Sequence, residues 1–321
     1  MKAIDAAATD AEMLRRFRRR FNLLVILGPT ASGKTGLAAV VARRIDGEII
    51  SADSRQVYRG MNLGTGKDLS EYGRGAAAVP YHLIDILDPS EAFSVFDYQR
   101  RFHRCFREIT ARGKVPILVG GSGLYLEAVI RGYDLPEVPT DGALRDRLAG
   151  VDMETLRRRL LARRPAVHNT TDLRDRERLI RAIEIAEFAP DHPRDPEGAA
   201  PLSPLIVGIG WPRDLLRRRI TDRLQARLAA GMVDEVAGLH AKGLSWEKID
   251  SFGLEYRYIG LHLRGELTRE ELFRTLNIRI HQYAKRQDTW FRRMERKGVR
   301  IHWTGSGDAD GLMELIGRLT A

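Results

Sequence analysis

The sequence predicts an α/β protein with a doubly wound parallel sheet, an α-helical insertion domain and a helical C-terminal part. Three observations lead to this prediction. Short apolar runs alternate with segments of helical length up to residue 130, which is typical of strands joined by crossover helices. Residues 143–188 then show helical periodicity without a strand pattern, and an apolar run at residues 205–210 returns the chain to the sheet.

Apolar runs bounded by turn residues predict the strands. They lie at Leu23–Leu27, Glu48–Ser51, His82–Ile86, Val115–Val119, Leu205–Gly210 and Val299–Trp303. Helices are expected at Lys34–Ile45 and Val95–Ala111, and Ser94 with Asp97 resembles a capping box at the second of them. The run GGSG at residues 120–123 ends a strand and opens a helix at Leu124, at the sheet edge where α/β folds bind ligands.

The same patterns divide the chain into segments. Residues 1–20 are expected to form a basic N-terminal arm. Residues 21–140 and 200–321 are expected to form a discontinuous core that includes the C-terminal helices. Residues 141–199 are expected to form the α-helical insertion, which a linker with Pro136, Pro139 and Gly142 introduces.

The composition is typical of a soluble globular protein, with 43% hydrophobic and 30% charged residues among 321. No apolar run is long enough to span a bilayer, and the arginine-rich residues 15–20 lack the apolar segment of a secretory signal. The single cysteine, Cys105, excludes an internal disulfide and a cysteine-based zinc cluster. We therefore expect a cytoplasmic protein with no membrane contact.

An excess of basic residues indicates a polyanionic partner. The chain carries 53 Lys and Arg against 43 Asp and Glu, a net charge of +10. On composition alone a solvated basic surface is the alternative. Between residues 281 and 300, however, basic side chains are interleaved with Tyr283, Trp290 and Phe291. This mixture is typical of surfaces that contact phosphates and stack on bases, although an amphipathic helix with a charged outer face remains open.

The residues after the first predicted strand match a complete phosphate-binding loop, G-x-x-x-x-G-K-[ST]. They are Gly28, Pro29, Thr30, Ala31, Ser32, Gly33, Lys34 and Thr35. In such a loop the backbone curls around phosphate oxygens, the lysine neutralises them, and the hydroxyl, here that of Thr35, binds Mg²⁺. The following helix presents free N–H groups to the same anion. The loop alone leaves a kinase, an NTPase and a transferase open.

Asp53 follows the second predicted strand and stands in a run of polar residues at the same edge of the sheet. Its position allows three roles. The carboxylate can accept a proton from a nucleophile, bind Mg²⁺ through water, or cap the next turn. The position does not choose among them.

Seven stretches run through nearly the whole chain in the order of a known family. They are GPTASGKT (28–35), ISADSRQVYRGMNLGTGK (50–67), YHLIDI (81–86), FSVFDYQ (93–99), PILVGGSGLYLEA (116–128), DRERLIRAIE (175–184) and YAKRQDTWFRR (283–293). With them the chain resembles the tRNA dimethylallyltransferases of bacterial type, also called tRNA isopentenyltransferases. The run from Asp53 to Lys67 and the closing KRQ-x-TWF are specific to that family, whose fold is phosphate-loop NTPase-like.

This resemblance implies transfer of a dimethylallyl group from dimethylallyl diphosphate to the exocyclic amine of the adenosine 3′-adjacent to the anticodon. The phosphate loop would hold the diphosphate, with Lys34 neutralising its oxygens, Thr35 positioning Mg²⁺ and Arg219 nearby. Asp53 would be the base that assists the weakly nucleophilic amine. The partner would be a tRNA anticodon stem-loop, bound by a monomer. The residues expected to contact the tRNA are Asp53, Ser54, Arg55, Gln56, Gln99, Ser122, Arg178, Arg181, Lys285, Arg286 and Gln287.

Two segments depart from the family's pattern. The family reads G-Y-R-Q where this chain has GLEYR at residues 253–257, and Thr-Arg where it has Ile280-His281. We expect these departures to affect tRNA docking and to leave the phosphate loop and Asp53 unchanged. Three alternatives stay open: a small-molecule kinase that uses the loop for ATP, an adenylate isopentenyltransferase that prenylates free AMP, and an RNA-binding module without catalysis.

Overall fold

The computed structural model describes residues 2–75, 78–133, 135, 137–163, 173–188, 201–305 and 308–321, with side chains from residue 10 onward. The chain forms two compact units. The first comprises Met1–Gly132 and Ala200–Ala321, and the second comprises Tyr133–Ala199. The first unit is therefore discontinuous in sequence, with the second inserted between its two parts.

The first unit contains a six-stranded sheet in which neighbouring strands are parallel. The strands are β1 (Leu23–Leu27), β2 (Gly47–Ala52), β3 (Tyr81–His82), β4 (Val115–Gly120), β5 (Pro204–Ile209) and β6 (His302–Thr304), in the order β3-β2-β4-β1-β5-β6. Alternate β1 side chains enter two apolar clusters: Leu24 and Ile26 belong to one, Val25 and Leu27 to the other. Both faces of the sheet are therefore buried, which explains the continuous apolar runs of its strands. The predicted doubly wound α/β fold is confirmed.

The described helices follow in chain order. They are α1 (Lys2–Arg20), α2 (Lys34–Ile45), α3 (Val95–Ala111), α4 (Gly123–Ile130), α5 (Gly142–Ala149), α6 (Met153–Arg163), α7 (Arg176–Phe188), α8 (Arg213–Ala229), α9 (Met232–Ala241), α10 (Trp246–Ser251), α11 (Leu254–Leu263), α12 (Arg269–Arg296) and α13 (Ala309–Thr320). Helices α2 and α3 have the predicted bounds, and Ser94 and Asp97 form the expected capping box. Within the described residues, no helix combines the length and apolar character that crossing a membrane requires.

Residues 1–20, expected to form a basic arm, contribute the docked helix α1. Its Met13 and Phe17 are buried in the apolar cluster on one face of the sheet. Arg44 of α2 pairs with Asp10 of α1 at 2.8 Å and with Asp310 of α13 at 2.7 Å. Met13 and Phe17 are four positions apart and so share one face of α1. This apolar face anchors the helix, and its other face is arginine-rich.

The third and sixth strands differ from their predictions. β3 is limited to Tyr81–His82, because Leu83 and Asp85 take left-handed backbone conformations with φ of 63° and 54°. β6 begins at His302 and not at Val299, whose N–H still donates a hydrogen bond to Met294 at the end of α12. Both strands lie at the edges of the sheet, where a strand is paired on one side only.

Helices α5, α6 and α7 form the described part of the second unit. Their core consists of Leu144, Leu148, Leu156, Leu160, Leu179, Ile183 and Ala186. The buried carboxylate of Glu184 pairs with Arg145 at 2.8 Å and with Arg181 at 3.1 Å. The helical periodicity of residues 143–188 is confirmed for these three helices, and residues 164–172 lie outside the described part of the chain.

Candidate active site

The phosphate loop joins β1 to α2 at the edge of the sheet where the parallel strands end. Strand β1 lies between β4 and β5, with Leu27 beside Gly120 and Gly208. Gly33, directly before α2, takes a φ of 82°, a conformation that strains any residue with a side chain. The loop therefore leads into the N-terminus of α2, whose first N–H groups lack partners within the helix and suit an anion.

Lys34 is the first residue of α2 and is half-buried. Its ammonium group donates a hydrogen bond to the Pro29 carbonyl at 3.2 Å. Burial, together with the nearby Arg223, lowers the pKa of Lys34 to about 8. The protonated form is therefore disfavoured by desolvation, and an anion in the loop would stabilise it.

Gln287 of α12 connects the phosphate loop to β4. Its buried amide oxygen accepts a hydrogen bond from the Thr30 N–H at 2.8 Å, and its amide nitrogen donates one to the Gly121 carbonyl at 2.8 Å. The resemblance implied a tRNA contact for Gln287. In the structure both ends of its amide bond to the protein's own backbone, so the side chain braces the phosphate loop.

Trp211 and Arg219 hold the phosphate loop at two further carbonyls. The Trp211 indole donates to the Ser32 carbonyl at 2.9 Å, and the Arg219 guanidinium donates to the Ala31 carbonyl at 2.9 Å. The guanidinium also lies over the Trp211 ring, 4.5 Å from its centroid. The structure thus places Arg219 at the phosphate loop, where it stabilises the shape of the backbone.

Asp53 follows β2 and begins the turn of residues 53–56. One carboxylate oxygen accepts hydrogen bonds from the N–H groups of Arg55 at 2.8 Å and Gln56 at 3.3 Å. Within the part of the chain that the structure describes, no donor bonds the second oxygen. Asp53 therefore caps the turn with one oxygen and leaves the other available.

A cavity of about 250 Å³ brings Lys34, Thr35 and Asp53 together. Its walls come from the phosphate loop, the turn after β2, the end of β4, and helices α8, α11 and α12. The predicted site residues that line it are Thr30, Lys34, Thr35, Asp53, Ser54, Arg55, Gln56 and Gln287. One cavity thus holds the cation and hydroxyl of a phosphate site beside a carboxylate.

Glu235 of α9 holds another wall of this cavity, the loop that starts at Asn62. Its carboxylate accepts hydrogen bonds from the backbone N–H groups of Asn62 at 2.8 Å, Leu63 at 2.7 Å and Gly64 at 3.0 Å. The Tyr256 hydroxyl donates a fourth at 2.8 Å. Sequence reasoning missed Glu235, because an acidic residue in the first turn of a helix is ordinary and carries no distinguishing local signal.

Sequence reasoning also missed Arg223 and Arg227 of α8, which line the cavity. Arg223 donates to the Gly66 carbonyl at 3.2 Å and pairs with Asp68 at 2.9 Å. Arg219, Arg223 and Arg227 recur every four residues, a spacing that places them on one face of the helix. This spacing was the signal available in the sequence.

Several residues predicted to contact tRNA lie outside the cavity. Gln99 is buried and donates to the Ala128 carbonyl at 3.0 Å, between α3 and α4. Ser122 accepts a hydrogen bond from the Ser54 N–H at 3.4 Å and so supports the cavity wall. Lys285 and Arg286 are exposed on α12. Their role in binding RNA stays a prediction.

Arg178 and Arg181 belong to α7 in the second unit and differ in their surroundings. The Arg178 side chain is exposed. Arg181 donates to the Val138 carbonyl at 2.6 Å and pairs with Glu184. Arg181 therefore stabilises its own unit, and Arg178 is the one of the two that presents its charge to solvent.

The first departing segment, residues 253–257, lies at the cavity itself. Glu255 and Tyr256 line it, and burial raises the pKa of the Glu255 carboxyl group. In the second departing segment His281 is half-buried, 3.5 Å from the Thr221 hydroxyl. The first departing segment thus forms part of the wall of the cavity that holds Lys34 and Asp53. The expected effect of both departures on tRNA docking stays a prediction.

Replacement of Glu235 by alanine is expected to lower the free energy of unfolding by about 1–3 kcal/mol, because three backbone N–H groups lose their acceptor. Chemical denaturation followed by circular dichroism measures it. Asp234→Ala is the matched control, since Asp234 stands in the same first turn of α9 and is exposed. Equal losses in both variants would mean that the effect comes from the helix terminus and not from the loop.

The chain is similar to known proteins along nearly its whole length. It matches the family model described as IPP transferase over residues 56–294. It is 57% identical over 300 residues to tRNA dimethylallyltransferase 1 of Geotalea daltonii, covering 94% of this chain and 95% of that protein. It is 59% identical over 288 residues to tRNA dimethylallyltransferase 2 of Trichlorobacter lovleyi, covering 89% and 93%.

The fold is also similar to a solved structure. The crystal structure of the tRNA isopentenylpyrophosphate transferase from Bacillus halodurans matches with a TM-score of 0.66 and 34% sequence identity, covering 93% of this chain and 95% of that one. The parallel sheet with its phosphate loop is therefore of the phosphate-loop NTPase-like type found in these enzymes. By family model, sequence identity and fold, this chain belongs to the IPP transferase family.

Proposed function

We propose that this protein transfers the dimethylallyl group of dimethylallyl diphosphate to the exocyclic amine of the adenosine 3′-adjacent to the anticodon in tRNAs, with release of diphosphate. The observation that carries the proposal is the single cavity in which Lys34 and Thr35 of a complete phosphate loop meet Asp53. Such a cavity combines a site for an anionic leaving group with a base for an amine. Membership of the IPP transferase family supports a tRNA acceptor.

The phosphate loop suits the diphosphate leaving group. As the bond from the prenyl carbon to oxygen breaks and the bond from that carbon to nitrogen forms, negative charge develops on the diphosphate. Backbone N–H groups and Lys34 stabilise this charge in a partly buried site, where electrostatic interactions are stronger than in water. Gln287 and Arg219 hold the loop in shape before substrate binds, so that little reorganisation is needed.

Mg²⁺ is the cofactor that fits this site. Thr35 lines the cavity beside Lys34. Its hydroxyl is an oxygen donor of the kind that Mg²⁺ prefers, together with diphosphate oxygens. When bound there, Mg²⁺ supplies further neutralisation of the leaving group. Thr35 would hold it.

Asp53 is the base. The exocyclic amine of adenine is a weak nucleophile, because its lone pair is delocalised into the ring. The carboxylate oxygen that makes no bond in the turn of residues 53–56 can accept the amine proton as the carbon–nitrogen bond forms. The other oxygen is held by the N–H groups of Arg55 and Gln56, which orients the carboxylate before the substrate arrives.

The remaining walls suit a nucleobase. Phe252, Tyr256 and Tyr283 line the cavity together with the polar side chains of Arg55 and Gln56. A base within an anticodon loop must turn out of its stack to enter such a cavity, and aromatic faces stack on an extruded base. We further propose that the protein acts as a monomer, since a single chain supplies every group named here. We propose the cytoplasm as its location, because its proposed substrate, tRNA, is found there.

The exposed Lys285 and Arg286 are expected to bind tRNA phosphates. Changing both to glutamine should weaken tRNA binding and flatten the slope of log affinity against log salt by roughly 0.7–0.9 per lost contact. Titrations at several salt concentrations measure the slope. The matched control is the double variant Arg15→Gln with Arg16→Gln. These two side chains are exposed on α1, and replacing them removes the same amount of positive charge. Equal slopes in wild type and the α12 double variant would mean that Lys285 and Arg286 face solvent and do not contact the tRNA.

An acceptor assay distinguishes the proposed function from its rivals. Labelled dimethylallyl diphosphate and Mg²⁺ are supplied with unmodified tRNA or with AMP. Label in tRNA, mapped by nuclease digestion to the adenosine after the anticodon, supports the proposal. Label in AMP would identify an adenylate isopentenyltransferase, and phosphate transfer from ATP without prenylation would identify a kinase. Binding of tRNA without any transfer would leave an RNA-binding module.

A further inference from the structure

Helix α8 presents three arginines to the site on one face, and two of them have partners. Arg219 bonds to the Ala31 carbonyl, and Arg223 bonds to the Gly66 carbonyl and to Asp68. The guanidinium of Arg227 makes no hydrogen bond or ion pair with any residue that the structure describes. Arg227 is nevertheless half-buried and lines the cavity.

The backbone at Gly66 is shaped to receive the Arg227 guanidinium. Gly66 has a φ of 66°, and a Cβ built there would overlap the Arg227 guanidinium nitrogen. Any other residue at position 66 would therefore push the guanidinium away. The Arg227 side chain therefore packs against the backbone of Gly66, and this packing, not a hydrogen-bond partner, sets the position of its guanidinium.

The charge balance of the cavity favours an anionic ligand. Four basic side chains line it, those of Lys34, Arg55, Arg223 and Arg227, against the two acidic side chains of Asp53 and Glu255. Burial and the neighbouring Arg223 lower the pKa of Arg227 to about 10, which still leaves it charged at neutral pH. A partly desolvated guanidinium that makes no hydrogen bond or ion pair with the described residues is costly, and it gains most from a ligand that brings negative charge.

We propose that Arg227 is a further substrate-binding residue, whose guanidinium contacts the diphosphate of the prenyl donor within the cavity that also holds Lys34. The inference rests on the proposed function. A phosphate oxyanion is the ligand that a planar guanidinium binds best. The donor's diphosphate is its source, and not a phosphodiester of the tRNA, because Arg227 shares the cavity with Lys34 and Thr35 of the phosphate loop.

Inorganic pyrophosphate tests this assignment without requiring catalysis. Isothermal titration of pyrophosphate in the presence of Mg²⁺ should give a dissociation constant roughly 10–100-fold higher for Arg227→Gln than for wild type, since a hydrogen bond to a charged group is lost. Arg227→Lys should recover part of the affinity. Arg218→Gln is the matched control, because Arg218 is exposed on the same helix and its guanidinium lies 3.9 Å from the carboxylate of Asp222. It should bind pyrophosphate as wild type does.

The alternative is that Arg227 only balances the charge of Glu255. In that case Arg227→Gln would lower the melting temperature, and adding Glu255→Gln to that variant would restore it. The pyrophosphate affinity of Arg227→Gln would equal that of wild type, which would overturn the proposal. An equal loss in Arg218→Gln would assign the effect to the general field of the helix. Weaker tRNA binding with unchanged pyrophosphate affinity would assign Arg227 to a phosphodiester. A wild-type protein that binds pyrophosphate but does not prenylate tRNA would refute the proposed function while leaving the Arg227 contact in place.

Discussion

Replacement of Asp53 by alanine is expected to reduce the single-turnover rate of prenyl transfer by about 10²–10⁴-fold, the usual scale for loss of a general base. The amine then attacks without an acceptor for its proton. The tRNA affinity should change little, because Asp53 lies inside the cavity and the exposed basic residues of α12 are intact. Rapid-quench measurements at saturating tRNA and donor give the rate directly.

The turn that Asp53 caps requires a second variant. Loss of the carboxylate also removes the acceptor for the N–H groups of Arg55 and Gln56, so Asp53→Ala can disturb the turn as well as the chemistry. Asp53→Asn keeps an oxygen that accepts both hydrogen bonds and removes only the basicity. We expect Asp53→Asn to be nearly as slow as Asp53→Ala. Turnover close to wild type in the asparagine variant would remove Asp53 from proton transfer and leave it the structural role alone.

Replacement of Lys34 by methionine is expected to have the second large effect, a fall of about 10²–10³-fold in turnover, because one preorganised contact to the developing charge is lost. Weaker pyrophosphate binding should accompany it. Asp53→Asn serves as a control here, since it should slow the reaction without weakening pyrophosphate. If ATP but not pyrophosphate competed with the donor in wild type, the leaving-group role of the loop would be wrong.

The pH dependence of pyrophosphate binding should follow the charge of Lys34. With a pKa of about 8 in the free protein, Lys34 is protonated at pH 7 and largely neutral at pH 9. A bound anion favours the protonated form, so binding above pH 8 takes up a proton and weakens as the pH rises. Titrations at pH 7 and pH 9 with wild type and Lys34→Met separate this effect from the titration of pyrophosphate itself. A parallel loss in both proteins would exclude Lys34 as its source.

The phosphate loop could be located from the sequence because its geometry is local. Its strand, its glycines and the helix that follows lie within residues 23–45, and α2 begins at the predicted residue. The turn at Asp53 was accessible for the same reason, since its hydrogen bonds join residues two and three positions apart. Short-range backbone chemistry leaves a pattern that a single sequence displays.

The supports of the site could not be predicted, because they come from distant parts of the chain. Gln287 and Thr30 are 257 residues apart, and Glu235 and Asn62 are 173 residues apart. Nothing in the local pattern of either side chain reveals its partner. The resemblance singled out Gln287 but implied an RNA contact for a side chain that the structure buries against its own backbone. The predicted bounds of the edge strands β3 and β6 differ from the observed ones for a related reason. Each of these strands pairs with a neighbour on one side only, so its ends are less constrained than those of the central strands.

The position of β1 in the sheet has a consequence for how the chain folds during synthesis. Its neighbours are β4 and β5, and β5 is synthesised only after the whole inserted unit has been synthesised. The Gln287 brace of the phosphate loop arrives later still. Such pairings across long sequence separations form late and slowly, because the entropy of closing a large loop is lost before the contacts contribute any stabilising free energy. A nascent chain that ends within the insertion therefore carries the phosphate-loop sequence without the strand and the side chain that shape it, and the site is complete only when synthesis is almost finished.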